Sequence, residues 1–165
     1  MTKAHTEMEI LLARIAVGLI IGFAVAGVIW YGVSTEELGR LWRNIVDRPA
    51  GPMTFRFVLQ PAMASVASLR DGLADARLRR TPYLAAIVSS AEGRGSRLWE
   101  GIIPTAKILI LGVVMDVVYQ LVFLREFFPA EAAIIAVLLA FVPYALLRGP
   151  IGRAARHWII RSASS

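Results

Sequence analysis

From Ile15 to Val33 the chain carries no charged side chain, and at about 1.5 Å per residue a helix of that length reaches roughly 28 Å, the thickness of a bilayer's hydrocarbon. Backbone amides in lipid have no water to bind, so such a stretch must be a helix. The expectation is a spanning helix over about residues 12–33. Trp30 and Tyr31 close it, at the level where amphipathic rings prefer the headgroups.

Two further apolar stretches follow. One runs over 102–124, broken by Asp116 and with Lys107 near its start. The other runs over 130–147, between Glu131 and Arg148. The linker Arg125–Glu131 is so brief that these two must form a tight antiparallel hairpin. Composition agrees: 57% of residues are hydrophobic and 18% charged, against about 25% charged in soluble domains. The fold class expected is all-α, a helical integral membrane protein with three transmembrane helices in one membrane domain.

Ala24-Val-Ala-Gly27 looks like a small-residue cleavage site after an apolar run. However, Glu7 and Glu9 spoil a basic leader, and the apolar run continues through Val28, Ile29 and Trp30. An uncleaved anchor is favoured. Ten arginines lie between residues 34 and 101 and four more after 147, whereas Lys3, Arg14 and Arg125 flank the other ends. The positive-inside bias then puts the N-terminus outside, and the long loop and C-terminus in the cytoplasm of a bacterial inner membrane. Trp30, Trp99 and Trp158 fall at the expected cytoplasmic ends.

Segment 54–90 starts after a Pro/Gly break. Phe55, Val58, Ala62, Val66, Leu69, Leu73 and Ala76 recur at helical spacing, opposite Arg56, Gln60, Arg70, Asp71, Asp75 and Arg79. Pro61 should kink this helix or mark its start. The apolar run from Phe57 to Leu69 is too short to span, so an amphipathic helix lying on the inner leaflet, or a re-entrant piece, is expected in preference to a soluble subdomain. Ser96 is a candidate helix cap. The tail from Pro150 repeats the amphipathic pattern, with Arg153 and Arg156 as candidate ligands of anionic phospholipid headgroups.

Within the spans, Gly18, Gly22 and Ala26 form a small-xxx-small face suited to helix packing, inside the chain or with a second copy. Asp116 is the most informative residue, because a carboxylate near mid-bilayer needs a partner or a proton. Tyr119 and Gln120 share its face. Arg14 matches its expected depth, so an intramembrane cluster of Arg14, Asp116, Tyr119 and Gln120 is one expectation. The other is that Arg14 snorkels outward while Asp116 stays protonated or meets a different protein. Lys107 is expected to snorkel.

No cysteine is present, and His5 and His157 lie near opposite ends. No protease, phosphate-loop or dinucleotide motif occurs. A non-enzymatic protein without cofactor, metal or nucleic-acid partner is therefore expected. Phe55-Arg-Phe-Val-Leu-Gln-Pro61, Leu69-Arg-Asp-Gly-Leu-Ala-Asp-Ala-Arg77, Pro82-Tyr83, Met115-Asp-Val-Val-Tyr-Gln120 and Leu147-Arg-Gly-Pro150 resemble small uncharacterised inner-membrane proteins of proteobacteria, over roughly residues 54–153. The resemblance implies location and a helical fold, and no chemistry. The expected role is an accessory, assembly or scaffolding subunit. The alternative is an oligomeric small transporter or channel protomer using the cluster around Asp116.

Overall fold

The computed structural model describes residues 5–32, 34–47, 49, 53–89 and 93–162, and among them no strand occurs. Helix α1 (Glu7–Tyr31) opens on a capping box in which Thr6 and Glu9 satisfy each other's backbone amides. It ends at Gly32, whose φ of 72° no β-carbon would favour. Helix α2 (Thr35–Asp47) follows, then α3 (Arg56–Arg77), the short α4 (Tyr83–Ser89) and α5 (Arg94–Tyr119). Helix α5 widens into a π-turn over Gln120–Leu124, and Arg125 turns the chain at φ 55°. Helix α6 (Pro129–Ala136), a second π-turn (Val137–Phe141) and α7 (Val142–Ser162) then run on without a break.

Among the described residues, three helices are long and apolar enough to cross a membrane: Glu7–Tyr31, Arg94–Leu124 and Pro129–Ile159. The chain is an all-α membrane protein. The third of these is nearly twice as long as its uncharged core, because Arg148 is neutralised inside the fold and does not end the helix. Pro129 sits in its first turn, where a missing amide costs nothing. The amphipathic tail from Pro150 is its continuation.

The contacts fix the directions of the helices. The Tyr31 hydroxyl donates to the Phe127 carbonyl at 2.8 Å, and Gly27 packs against Ala130 so closely that any β-carbon would collide. The start of α1 lies beside Ile103 and Lys107, so α1 runs parallel to α5. Helix α3 passes Asp116 with Arg56, Gly112 with Gln60 and Ile151 with Gly72. It therefore runs antiparallel to α5 and alongside α7. Over its 22 residues it extends about 32 Å.

Helix α3 thus packs lengthwise against α5 and α7 as a fourth member of the bundle. Its apolar face points away from the bundle. Val58 and Val66 are 71% and 69% exposed, while Arg56, Gln60, Ala64, Ser68, Gly72 and Asp75 are buried. In lipid the apolar face is the solvated one, and polar groups turn inward to satisfy one another. Pro61 lies inside α3 and is not its start. The helix that does cap one end is α2, with Leu38, Trp42 and Val46 exposed along one edge.

Four passes along the bundle bring the start of α1 and the end of α7 to the same end. Arg156 donates to the Arg80 carbonyl there, and Arg80 reaches Glu100, beside His5. Trp30 accordingly lies at the opposite end from Trp99 and Trp158. Ser96 sits inside the first turn of α5, whose cap is Gly93. The loop positions Ser90–Glu92 lie outside the described residues.

Candidate functional site

Among the described residues, most buried polar groups of the bundle fall in two clusters joined by the inner face of α3. The first lies near the hairpin. Arg56 Nη2 stands 2.6 Å from Asp116 Oδ1, and both side chains are almost wholly buried. Gln120 Nε2 donates to Asp116 Oδ2 at 2.6 Å and to the Phe128 carbonyl at 3.1 Å, while its Oε1 accepts from the Phe128 amide. The Arg56 guanidinium also lies 5.1 Å from the centre of the Tyr119 ring. The π-turn at Gln120 stands directly beneath this cluster, as π-bulges often do at functional sites.

Asp116, Tyr119 and Gln120 are therefore brought together as their spacing implied, but the cation is Arg56. Arg14 is exposed on the outer side of α1, and the expected Arg14–Asp116 pair is corrected. Arg14 shares its helix face with Gly18 and Gly22, and a β-carbon placed on either glycine would have no neighbour within 4 Å. Those two glycines do not pack inside the chain, and Ala26 is only half-buried. The packing face of α1 is Ala13, Ala16 and Gly27 instead.

The second cluster lies at the other end, around Arg148. Its guanidinium holds Asp75 through Nε at 2.7 Å and Nη2 at 3.1 Å, and Glu100 through Nη2 at 2.8 Å. Nη1 donates to the Tyr144 hydroxyl at 2.8 Å, which in turn donates to Asp71 Oδ2 at 2.9 Å. Arg80 and Arg97 each reach Glu100 as well, at 2.8 and 3.0 Å. One arginine thereby ties α3, α5 and α7 together. Tyr83 from α4 seals the cluster against Gly101, donating to the Arg97 carbonyl at 3.0 Å. Burial pushes the Tyr83 phenol up to about 12, so it stays a donor at neutral pH.

Between the clusters the interior is closed by small residues. Ala64 interrupts the polar face of α3, and Gly112 leaves room for Ala136 and Gln60 and nothing larger. Here Nε and Nη1 of Arg56 and both amide atoms of Gln60 are buried without a hydrogen-bond partner. At the hairpin end a third pairing involves Glu131, which is buried and accepts from Asn44 at 2.9 Å and Arg40 at 3.4 Å. Arg40 lies 3.9 Å above the Phe128 ring. This contact ties α2 to the bundle.

Sequence reasoning missed Arg56, Asp75, Arg148 and Glu131 as site residues. The signal for α3 was the spacing of four through Arg56, Gln60, Ala64, Ser68 and Gly72, a face as regular as the apolar one. Of the headgroup candidates, Arg153 is exposed, whereas Arg156 is half-buried and spends a donor on the Arg80 carbonyl. No group of three or more histidine, aspartate or glutamate side chains among the described residues is placed to hold a metal. The chain matches no protein-family description, no curated protein and no solved structure.

Proposed function

We propose that the chain is a non-enzymatic multi-pass subunit of a bacterial inner membrane, with an accessory or assembly role exercised through the outward face of α1. The observation that carries this reading is Arg14, exposed on a spanning helix beside the open glycines Gly18 and Gly22. A cation on a lipid-facing helix is costly without a partner, and a stripe of small residues lets a second backbone approach closely. A symmetric contact between two copies would set Arg14 against Arg14. A different membrane helix that carries a carboxylate fits both features.

The basic ends support an orientation. Arg77, Arg79, Arg80, Arg94, Arg97, Arg153 and Arg156 gather at the end that holds both termini, against Arg40, Arg43 and Arg125 at the hairpin end. With α3 as a fourth crossing, the positive-inside bias puts both termini in the cytoplasm. Exposed Arg153 is then available to anionic headgroups.

The test is the size of the species extracted in mild detergent. A complex larger than the chain, dissociated by Arg14→Glu and by Gly22→Leu, supports the reading. A monomer, or a complex indifferent to both changes, overturns it. A second reading, an oligomeric small transporter or channel protomer, is favoured by the orphaned polar atoms of Arg56 and Gln60, because such groups call for water or a polar solute. Solute flux in liposomes that is lost with Asp116→Asn would carry that reading instead.

A further inference from the structure

A cleft of about 210 Å³ opens between the start of α1, the middle of α3 and α5. Its polar lining is His5, Glu9, Arg70, Asp71 and Lys107, set among Leu12, Ala67, Ile103, Pro104 and Ala106. The two carboxylates are already engaged within the fold. Glu9 accepts from the Thr6 amide at 3.1 Å and faces His5 Nδ1 at 3.3 Å, and Asp71 accepts from Tyr144 at 2.9 Å. Arg70 and Lys107 are both exposed, and neither makes an ion pair or hydrogen bond with a described residue.

The two cations also lie at one depth. Arg70 is five residues before Asp75 and Lys107 seven after Glu100, so both sit about 7–10 Å inward from the Arg148 cluster. That is below the helix ends and within reach of the headgroup and glycerol layer. Two cations without a partner in the fold, at one level on two of the helices that line a mixed polar and apolar cleft, match an anion that carries hydrocarbon.

We infer that this cleft binds the phosphate of a membrane phospholipid, held between Arg70 and Lys107, with its acyl chains lying along the apolar faces of α1 and α3. The site differs from Arg153, which is exposed on α7 five residues beyond Arg148. The inference rests on α3 being a fourth crossing helix. If that failed, tags on the two ends would report opposite faces, whereas failure of the site alone leaves them on one face.

The experiment uses the full chain in mild detergent. Thermal unfolding is followed on adding phosphatidylglycerol, phosphatidylcholine or inorganic phosphate, and lipid retained through purification is measured. Wild type is expected to retain phosphatidylglycerol and to be stabilised by it. Arg70→Gln and Lys107→Gln should each weaken that binding on the order of fivefold, with Arg153→Gln as the unaffected control. Arg70→Lys should restore most of the loss, separating binding from misfolding. Equal retention by the Arg70→Gln/Lys107→Gln pair overturns the inference. So does stabilisation by inorganic phosphate without any by the lipid, which would reassign the cleft to a soluble anion.

Discussion

Arg56 and Asp116 meet at 2.6 Å across 60 residues of sequence, each almost fully withdrawn from the surface. Two charges taken out of water together are tolerated only when their mutual attraction and further hydrogen bonds offset the desolvation. Gln120 supplies such a bond to Asp116. The pair pins the first turn of α3 to the last turn of α5, and so sets the direction in which α3 returns along the bundle.

Removing both partners should therefore cost far less than the two single losses added together. Arg56→Ala and Asp116→Ala are each expected to cost about 3–5 kcal/mol, the penalty of a buried charge left alone, with the double variant well short of the sum. Arg14→Ala should leave stability close to wild type. Unfolding in detergent and accumulation in the membrane measure all four variants. Additive losses from Arg56→Ala and Asp116→Ala would refute the pairing.

The three long apolar stretches and the tight hairpin were legible because hydrophobic run length reports directly on what must be excluded from water. Helix α3 was legible only as a helix. Its 3–4 spacing defines two faces, but not which solvent each face meets: in water the Val58–Leu73 face turns inward, in lipid outward. That ambiguity left open how α3 packs, and with it the end of the bundle at which Trp30 lies. Arg148 was read as the end of a span because an arginine alone cannot continue one. Its partners Asp75 and Glu100 lie 73 and 48 residues away, and no local pattern announces them.

The proposal that α3 is a fourth crossing makes a prediction about sides. The chain has no cysteine of its own, so single cysteines can be placed freely. Ser34→Cys and Arg43→Cys, near α2, should react with an impermeant thiol reagent from the face opposite to Arg153→Cys and His157→Cys. Tags on the two termini should report the same face. Opposite faces for the tags would remove α3 from the membrane.

The glycines of α1 divide by neighbour. At Gly27 a β-carbon would run into Ala130, whereas at Gly18 and Gly22 nothing lies within 4 Å. Gly27→Leu should thus destabilise the isolated chain by about 1–3 kcal/mol or more through overpacking, with Gly18→Leu and Gly22→Leu close to neutral. Thermal unfolding of the purified protein separates them. A large loss from Gly22→Leu in the monomer would place that face inside the fold.

Tyr83 gives the bundle a defined alkaline limit. Its phenol is held near 12 against an ordinary 10 by burial, so the folded state prefers the neutral form, which donates to the Arg97 carbonyl. A raised folded value means that the contribution is complete below pH 10. Above that the unfolded chain ionises first, and the contribution drains away as pH climbs towards 12. Tyr83→Phe keeps the ring against Tyr144 and loses the hydrogen bond, at a cost of about 1 kcal/mol at neutral pH. The stability gap between wild type and Tyr83→Phe should hold level up to pH 10 and narrow beyond it. A gap that stays constant through that range would mean that the hydroxyl is solvated and the α4 seal is open.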